Sequence, residues 1–271
     1  MRLTVLVVMS AALGYLTAAP NLQLLPFLSV ITGGFLVTGA ANTFNQIFEK
    51  NTDSLMVRTQ NRPLARGSMS VTEALTIALV MSVAGISILW FALNPLSGLL
   101  GTLALVMYAG IYTPMKKKSS FAVFVGAFPG AIPPMLGYVG ETGKFGLFAG
   151  LLFAIQFVWQ FPHFWAIAWK MHDDYRKAGM HLLPSPGGRN LSSAMQMLLY
   201  SLFLIPISLT PYYYGFTGNA SAAIILICGI AFAYYAFELV RTRNDKAALK
   251  LMFASFVYLP VVQIAVWLDK I

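Results

Sequence analysis

Residues 41–70 read ANTFNQIFEKNTDSLMVRTQNRPLARGSMS, and the residues before them, 24–48, form one long apolar run. A run of about 20 apolar residues is what a helix needs to cross the hydrocarbon core of a bilayer. This run does not stop at a turn but continues into Asn42, Asn45, Glu49 and Asp53, spaced by three, four and four residues. On a helix that spacing places two amides and two carboxylates on one stripe. Arg58, Arg62 and Arg66 follow at the same spacing, while Pro63 and Gly67 mark that part as a structured loop. An acidic stripe beside a basic cluster at the end of an apolar span suits a metal-bridged phosphate better than a packed core.

Composition widens this local reading to the whole chain. The 271 residues are 58% hydrophobic and 10% charged, whereas a soluble domain carries roughly a quarter charged residues. The chain is therefore read as an all-α polytopic membrane protein. The net charge of +9 does not point to nucleic acid, because the basic residues are distributed over short loops between spans. Cys228, the single cysteine, sits in an apolar run, has nothing polar to activate it and excludes an internal disulfide. The opening MRLTVLVVMSAALGYLTAAP has the look of a signal peptide, yet further apolar runs follow at once, and it is read as a retained first span.

About nine spans are expected, near 3–20, 24–48, 71–93, 96–113, 121–139, 145–169, 191–215, 219–240 and 251–268. No stretch resembles a water-soluble domain, so residues 1–271 are expected to form one transmembrane unit. Alternate connections collect Arg2, then Lys50 to Arg66, Lys116 to Lys118, Lys170 to Arg189 and Arg241 to Lys250 on one side, and only Lys144 and Lys270 on the other. Lys and Arg mark the cytoplasmic side, which puts the N-terminus inside and the C-terminus outside. The run AFPGAIPPMLGY carries Pro129, Pro133 and Pro134, and that helix is expected to bend or break. Gly126-x-x-x-Gly130 reads as close helix packing. Most Trp and Tyr near span ends read as interfacial anchors, with Trp159 and Trp165 as candidates for a cavity wall.

A second polar rim ends the sixth span, at PHFWAIAWKMHDDYRKAGMHLLPSPGGR. Lys170 and Asp174 lie seven and eleven residues beyond His163, on one helical stripe, with Asp173 beside them. Elements four spans apart emerge on the same side, so the loops after spans two and six are expected to face each other across a single cavity between two helical halves. His163 is open to three roles: bonding a backbone carbonyl, orienting a polar substrate, or ligating a metal. His172 and His181 are read as solvated, and no His/Cys cluster has zinc spacing.

The residue types fit one chemistry. Mg²⁺ takes carboxylate oxygens and is shared with substrate phosphates, while Arg and Lys neutralise a leaving diphosphate. Ionising an allylic diphosphate leaves a carbocation that must be kept dry and that aromatic faces stabilise. An organic-anion transporter is the alternative from another class, though its ionisable groups belong near the bilayer midplane and nearly all of those here lie at span ends.

At these residues the sequence resembles the UbiA superfamily of intramembrane prenyltransferases, and within it the protoheme IX farnesyltransferase branch. The resemblance rests on Asn45-x-x-x-Glu49-x-x-x-Asp53 with MVRTQNRPLARG, on YTPMKKKSS with GAFPGAIPPMLGY, and on WQFPHFWAIAWKMHDDYRKAGMHLLP. It covers nearly the whole chain, and its last segment looks like the haem-farnesylating branch more than the quinone or chlorophyll branches. It implies nine transmembrane helices around a central cavity in a bacterial plasma membrane. The implied reaction is Mg²⁺-dependent transfer of farnesyl from farnesyl diphosphate to a vinyl group of haem B, giving haem O for terminal oxidase assembly. A quinone precursor is the alternative acceptor, and haem-modifying or oxidase-assembly proteins are the implied partners. On this reading Asn45, Glu49, Asp53, Asp173 and Asp174 carry catalysis, the four carboxylates among them hold the metal, Arg58, Arg62, Lys116, Lys170 and Arg176 bind diphosphate, and His163 orients haem. Two departures stand out: Glu49 occupies a position where the family usually has Asp, and the family's basic, proline-containing lead before the first span is not seen ahead of Met1-Arg2.

Overall fold

The computed structural model describes residues 2–271, with side chains from Thr4 onward, so the side chain of Arg2 lies outside the described residues. The chain forms α1 (Arg2–Ala18), α2 (Leu24–Asp53), α3 (Val71–Leu93), α4 (Pro95–Met115), α5 (Ala122–Thr142), α6 (Leu147–Lys170), the short α7 (His172–Lys177), α8 (Leu191–Tyr213), α9 (Asn219–Thr242) and α10 (Asp245–Leu268). Eight of these are long and apolar enough to cross a membrane, and α1 is a shorter apolar helix. All nine expected spans thus have a helix within a few residues. The largest boundary difference is at α10, which begins at Asp245 and not near 251. Asn244 caps it, its side-chain oxygen accepting from the Ala247 amide at 2.8 Å, so the charged residues 245–250 form its first turns.

Apolar side chains cover the outside. Val83, Phe91, Leu99, Ile227 and Tyr234 are all exposed, while Ser10, Asn45, Glu49, Gln156, His163 and Gln263 are buried. Polar-in, apolar-out is the inverse of a water-soluble bundle, and the protein is integral to the membrane.

The helices close into a ring whose contacts explain several residues. α1 packs closely on α5, and the contact depends on the absence of side chains: a Cβ on Gly137 would lie 1.8 Å from the Ala11 carbonyl oxygen, and one on Gly14 would lie 2.0 Å from that of Pro134. α2 packs against α1, α3 and α4; α6 packs against α5, α8 and α10; α9 lies between α8 and α10; and α10 returns to α1. Lys270 ties that return by donating to the Leu16 and Ala19 carbonyls.

The proline-rich α5 runs unbroken from Ala122 to Thr142, so the break considered from the sequence does not occur. Pro134 has no amide to offer the Gly130 carbonyl four residues back. Gln156 on α6 supplies the missing donor, its Nε2 lying 2.7 Å from that oxygen. The departures from α geometry fall elsewhere, in π turns at Ile88–Leu93 and Met107–Tyr112. Each contributes a residue, Leu89 and Tyr108, to the central cavity.

Candidate active site

The stripe expected on α2 forms as a buried face: Asn45, Glu49 and Asp53 are 6, 5 and 1% exposed. Burial in a membrane helix requires each to be paired, and α4 and the loop after α2 provide the partners. Asn45 Nδ2 donates to Thr113 Oγ1 at 3.3 Å. Glu49 Oε1 accepts from Lys116 Nζ at 3.0 Å, and the same ammonium sits 4.6 Å from the centre of the Tyr112 ring. Asp53 Oδ2 accepts from Arg62 Nη1 at 2.7 Å.

Local structure brings Arg62 there. After α2 ends, Thr59 donates its hydroxyl to the Asp53 carbonyl at 3.0 Å, and Met56, 2% exposed, anchors the turn. The arginines therefore diverge: Arg62 folds back onto Asp53, while Arg58 and Arg66 are exposed.

The second rim is organised differently from its expected stripe. α6 ends at Lys170, and Met171, at φ −97° and ψ 16°, separates it from α7, so His163, Lys170 and Asp174 do not share one helix face. Asp173 pairs with Arg189 at 3.3 Å, Asp174 lies 4.0 Å from Lys177, and Lys170 lies 3.5 Å from Asp245. Arg189 also reaches Asp245 at 3.8 Å and donates to the Trp169 carbonyl at 2.8 Å. Arg176 is exposed. His172 is half-buried against Gly188, where a Cβ would lie 2.8 Å from its ring; burial first, and the Arg189 guanidinium second, hold its imidazole below the usual histidine range. His181 is exposed.

Among the described residues no three His, Cys, Asp or Glu side chains converge as a metal-holding group. The four candidate carboxylates are divided between two rims, each beside its own cation. Met56 and Tyr112 beside the first rim, and Trp169 and Met180 beside the second, belong to the same large buried cluster. One feature of the first rim suits a hard cation: Asp53 Oδ1 is buried without a hydrogen-bond partner.

About one helical turn from the first rim along α2 and α4 lies a largely apolar cavity. Asn42 and Tyr108 line it, about one helical turn before Asn45 and Tyr112 respectively. Leu89, Leu105 and Leu136 make its apolar wall, and Trp159, Gln160 and His163 face it from α6. Trp165 does not line it: that ring is buried against Phe161 and Tyr200.

His163 is 5% exposed and stacks on Trp159 with ring centres 4.4 Å apart and planes 17° apart. Its Nδ1 lies 2.7 Å from Ser255 Oγ, and that hydroxyl donates to the Met252 carbonyl at 2.5 Å. With its hydrogen committed to Met252, Ser255 accepts, so Nδ1 carries the ring proton.

Several cavity residues escape a reading of the sequence. Ser10 donates to Gln263 Oε1 at 3.0 Å, Gln263 Nε2 to Gln156 Oε1 at 2.8 Å, and Gln156 to the Gly130 carbonyl. Gln160 donates to the Ala127 carbonyl at 3.2 Å. The available signal was a glutamine pair four apart on an apolar helix, which faces one way.

The UbiA prenyltransferase family matches residues 7–258 of the chain. The protoheme IX farnesyltransferase of Cytophaga hutchinsonii is 47% identical over 273 residues, covering 100% of this chain and 95% of that protein. A structure of digeranylgeranylglyceryl phosphate synthase superposes with a TM-score of 0.81 at 20% identity, over 97% of this chain and 92% of that one. A UbiA homologue from Archaeoglobus fulgidus bound to GPP and Mg²⁺ superposes with a TM-score of 0.68 at 14% identity, over 98% and 95%. The chain belongs to the UbiA prenyltransferase family and is an integral membrane prenyltransferase.

Proposed function

We propose that the protein transfers the farnesyl group of farnesyl diphosphate to a vinyl group of haem B, in an Mg²⁺-dependent reaction that yields haem O for terminal oxidase assembly. The observation that carries this reading is the 47% identity, along the full chain, to a protein named protoheme IX farnesyltransferase. The geometry supports it: a buried ionic cluster stands at one end of an apolar cavity whose wall carries an imidazole and an indole.

Each group in the cluster has a part in releasing diphosphate. Glu49 and Asp53, with the free Oδ1 of Asp53, are the residues that would hold Mg²⁺, and Asp173 and Asp174 would complete the set from the second rim. When bound, Mg²⁺ neutralises the diphosphate as the allylic C–O bond breaks. Lys116 and Arg62 exchange partners at that moment: they turn from the two carboxylates to the diphosphate oxygens, so the charge of the buried site stays balanced. Arg58, Lys170 and Arg176 draw the anion to the mouth, and Asn45 positions it. The apolar wall keeps water from the farnesyl cation, and Tyr108 and Trp159 offer it aromatic faces; the vinyl π electrons form the new C–C bond to it, and water then adds to the cation left on the inner vinyl carbon, its proton passing to the departing diphosphate, to give the hydroxyalkyl group of haem O. His163 holds the haem in place for that attack. Catalysis is positional and electrostatic, with no covalent enzyme intermediate.

The loops bearing both rims carry most of the Lys and Arg, which supports a cytoplasmic position for them, and for the N-terminus, in a bacterial plasma membrane. The test is to incubate membranes containing the protein with haem B, farnesyl diphosphate and Mg²⁺ and to seek haem O by mass. Product is expected with Mg²⁺ and not with a chelator. Prenylation of a quinone precursor in place of haem B would overturn the acceptor assignment, and Asp53→Ala with full activity would remove the metal role.

A further inference from the structure

We infer that His163 is an axial ligand of the porphyrin iron, bonding it through Nε2, with Ser255 as the residue that positions the ring. The inference rests on the haem reading above and specifies how the acceptor is held.

The two ring nitrogens have different surroundings. Nδ1 is engaged by Ser255, 92 positions away on α10, and Ser255 is itself fixed by the Met252 carbonyl. That chain orients one tautomer and leaves the Nε2 lone pair free. Among the described residues Nε2 has no hydrogen-bond partner, and the ring lies on the cavity wall. A histidine placed only for packing would be expected to satisfy both nitrogens or be replaced by an apolar ring.

The ring cannot rotate away from this orientation. Trp159 covers one face in parallel stacking, while Phe164 and Phe256 meet it edge-on at 5.4 and 4.9 Å. Trp159 is held in turn, its Nε1 donating to the Ser255 carbonyl at 3.0 Å. A single residue, Ser255, thus fixes the imidazole through its side chain and the indole beneath it through its backbone.

A neutral imidazole with one nitrogen donating to an oxygen and the other left without a partner beside an apolar cavity is the arrangement of metal-ligating histidines, in which the outer hydrogen bond sets tautomer and basicity. Carboxylate and thiolate groups are absent from the described cavity wall. A small hard cation would find no oxygen cage there, whereas iron already held by four porphyrin nitrogens needs only one more nitrogen donor. Fixing the iron also fixes the porphyrin plane at right angles to the Fe–Nε2 bond, and so determines which edge of the ring, with its vinyl group, faces the prenyl donor.

The experiment uses the purified full chain in lipid nanodiscs, titrated with haemin and, separately, with metal-free protoporphyrin IX. Wild-type protein should bind haemin with the absorption of a nitrogen-ligated iron and, once reduced, show an iron–imidazole stretch by resonance Raman. His163→Ala should lose that stretch and bind haemin at least tenfold more weakly, with metal-free porphyrin affinity unchanged and the haemin spectrum restored by added imidazole. Ser255→Ala should keep the ligand but shift the stretch and weaken haemin binding about 10–100-fold. If His163→Ala binds haemin with wild-type spectrum and affinity, ligation is overturned while the haem site stands. Loss of both porphyrins in His163→Ala with no rescue by imidazole, together with an unshifted stretch in Ser255→Ala, also overturns it. If neither porphyrin binds the wild-type protein, the haem reading itself fails.

Discussion

Lys116→Met removes the cation paired with Glu49 Oε1 and leaves the carboxylate where it is. In the native protein the two groups are 3.0 Å apart, with side chains 10 and 7% exposed. At an effective dielectric of about 20, charges at that separation attract by about 5.5 kcal/mol. Most of this is offset by the several kcal/mol needed to take each ion out of water, so the intact pair contributes little net stability. Removing one partner removes the attraction and leaves the other ion's desolvation, and the expected loss is about 3–5 kcal/mol. Glu49→Gln combined with Lys116→Met removes both charges and should lie within about 1 kcal/mol of wild type. The assay is the unfolding free energy of the purified protein in mixed micelles, measured for the two single variants and the double variant as a cycle. A Lys116→Met variant as stable as wild type, or a double variant no more stable than the single, would refute the buried pair.

Two other outcomes follow from the same structure. Gly137→Ala places a methyl group 1.8 Å from the Ala11 carbonyl oxygen, so α1 must move off α5; a loss of several kcal/mol is expected on the scale of severe overpacking, seen as faster proteolysis of α1 in the same micelles. His172 is held below its usual range by burial and then by Arg189, so it is neutral in the folded loop. Below about pH 6.5 the opened loop takes up a proton that the folded loop refuses, and stability present above that pH is lost as pH falls through the lowered value. Hydrogen exchange of residues 171–190 should therefore rise between pH 7.5 and pH 5.5, and His172→Gln should abolish the dependence.

The membrane fold was legible because it depends on a one-dimensional quantity, the length of apolar runs, and hydrocarbon admits few other solutions. The α2 stripe was legible for a similar reason: Asn45, Glu49 and Asp53 obey helical spacing through a segment with no breaker. The same rule misled at the second rim, because Met171 interrupts the helix between Lys170 and Asp174 and nothing in its side chain announces that. Pairing was not legible. Lys116 reaches Glu49 across 67 positions and Ser255 reaches His163 across 92, distances that only the packing of α4 on α2 and α10 on α6 brings to zero. The three prolines of α5 suggested a break because the donor that spares it, Gln156, stands on another helix.

The close seating of α1 on α5 has a consequence for how the protein is made. Gly14 leaves the ribosome 123 residues ahead of Gly137, and at roughly 5–20 residues per second α1 waits about 6–25 seconds for the surface it fits. Ser10 waits longer, since its acceptor Gln263 follows it by 253 positions. Until α10 arrives, the serine of α1 is unanswered and the cavity lacks the part of its wall that Phe256 and Leu259 supply. The chamber is therefore closed only when α10 docks against α1.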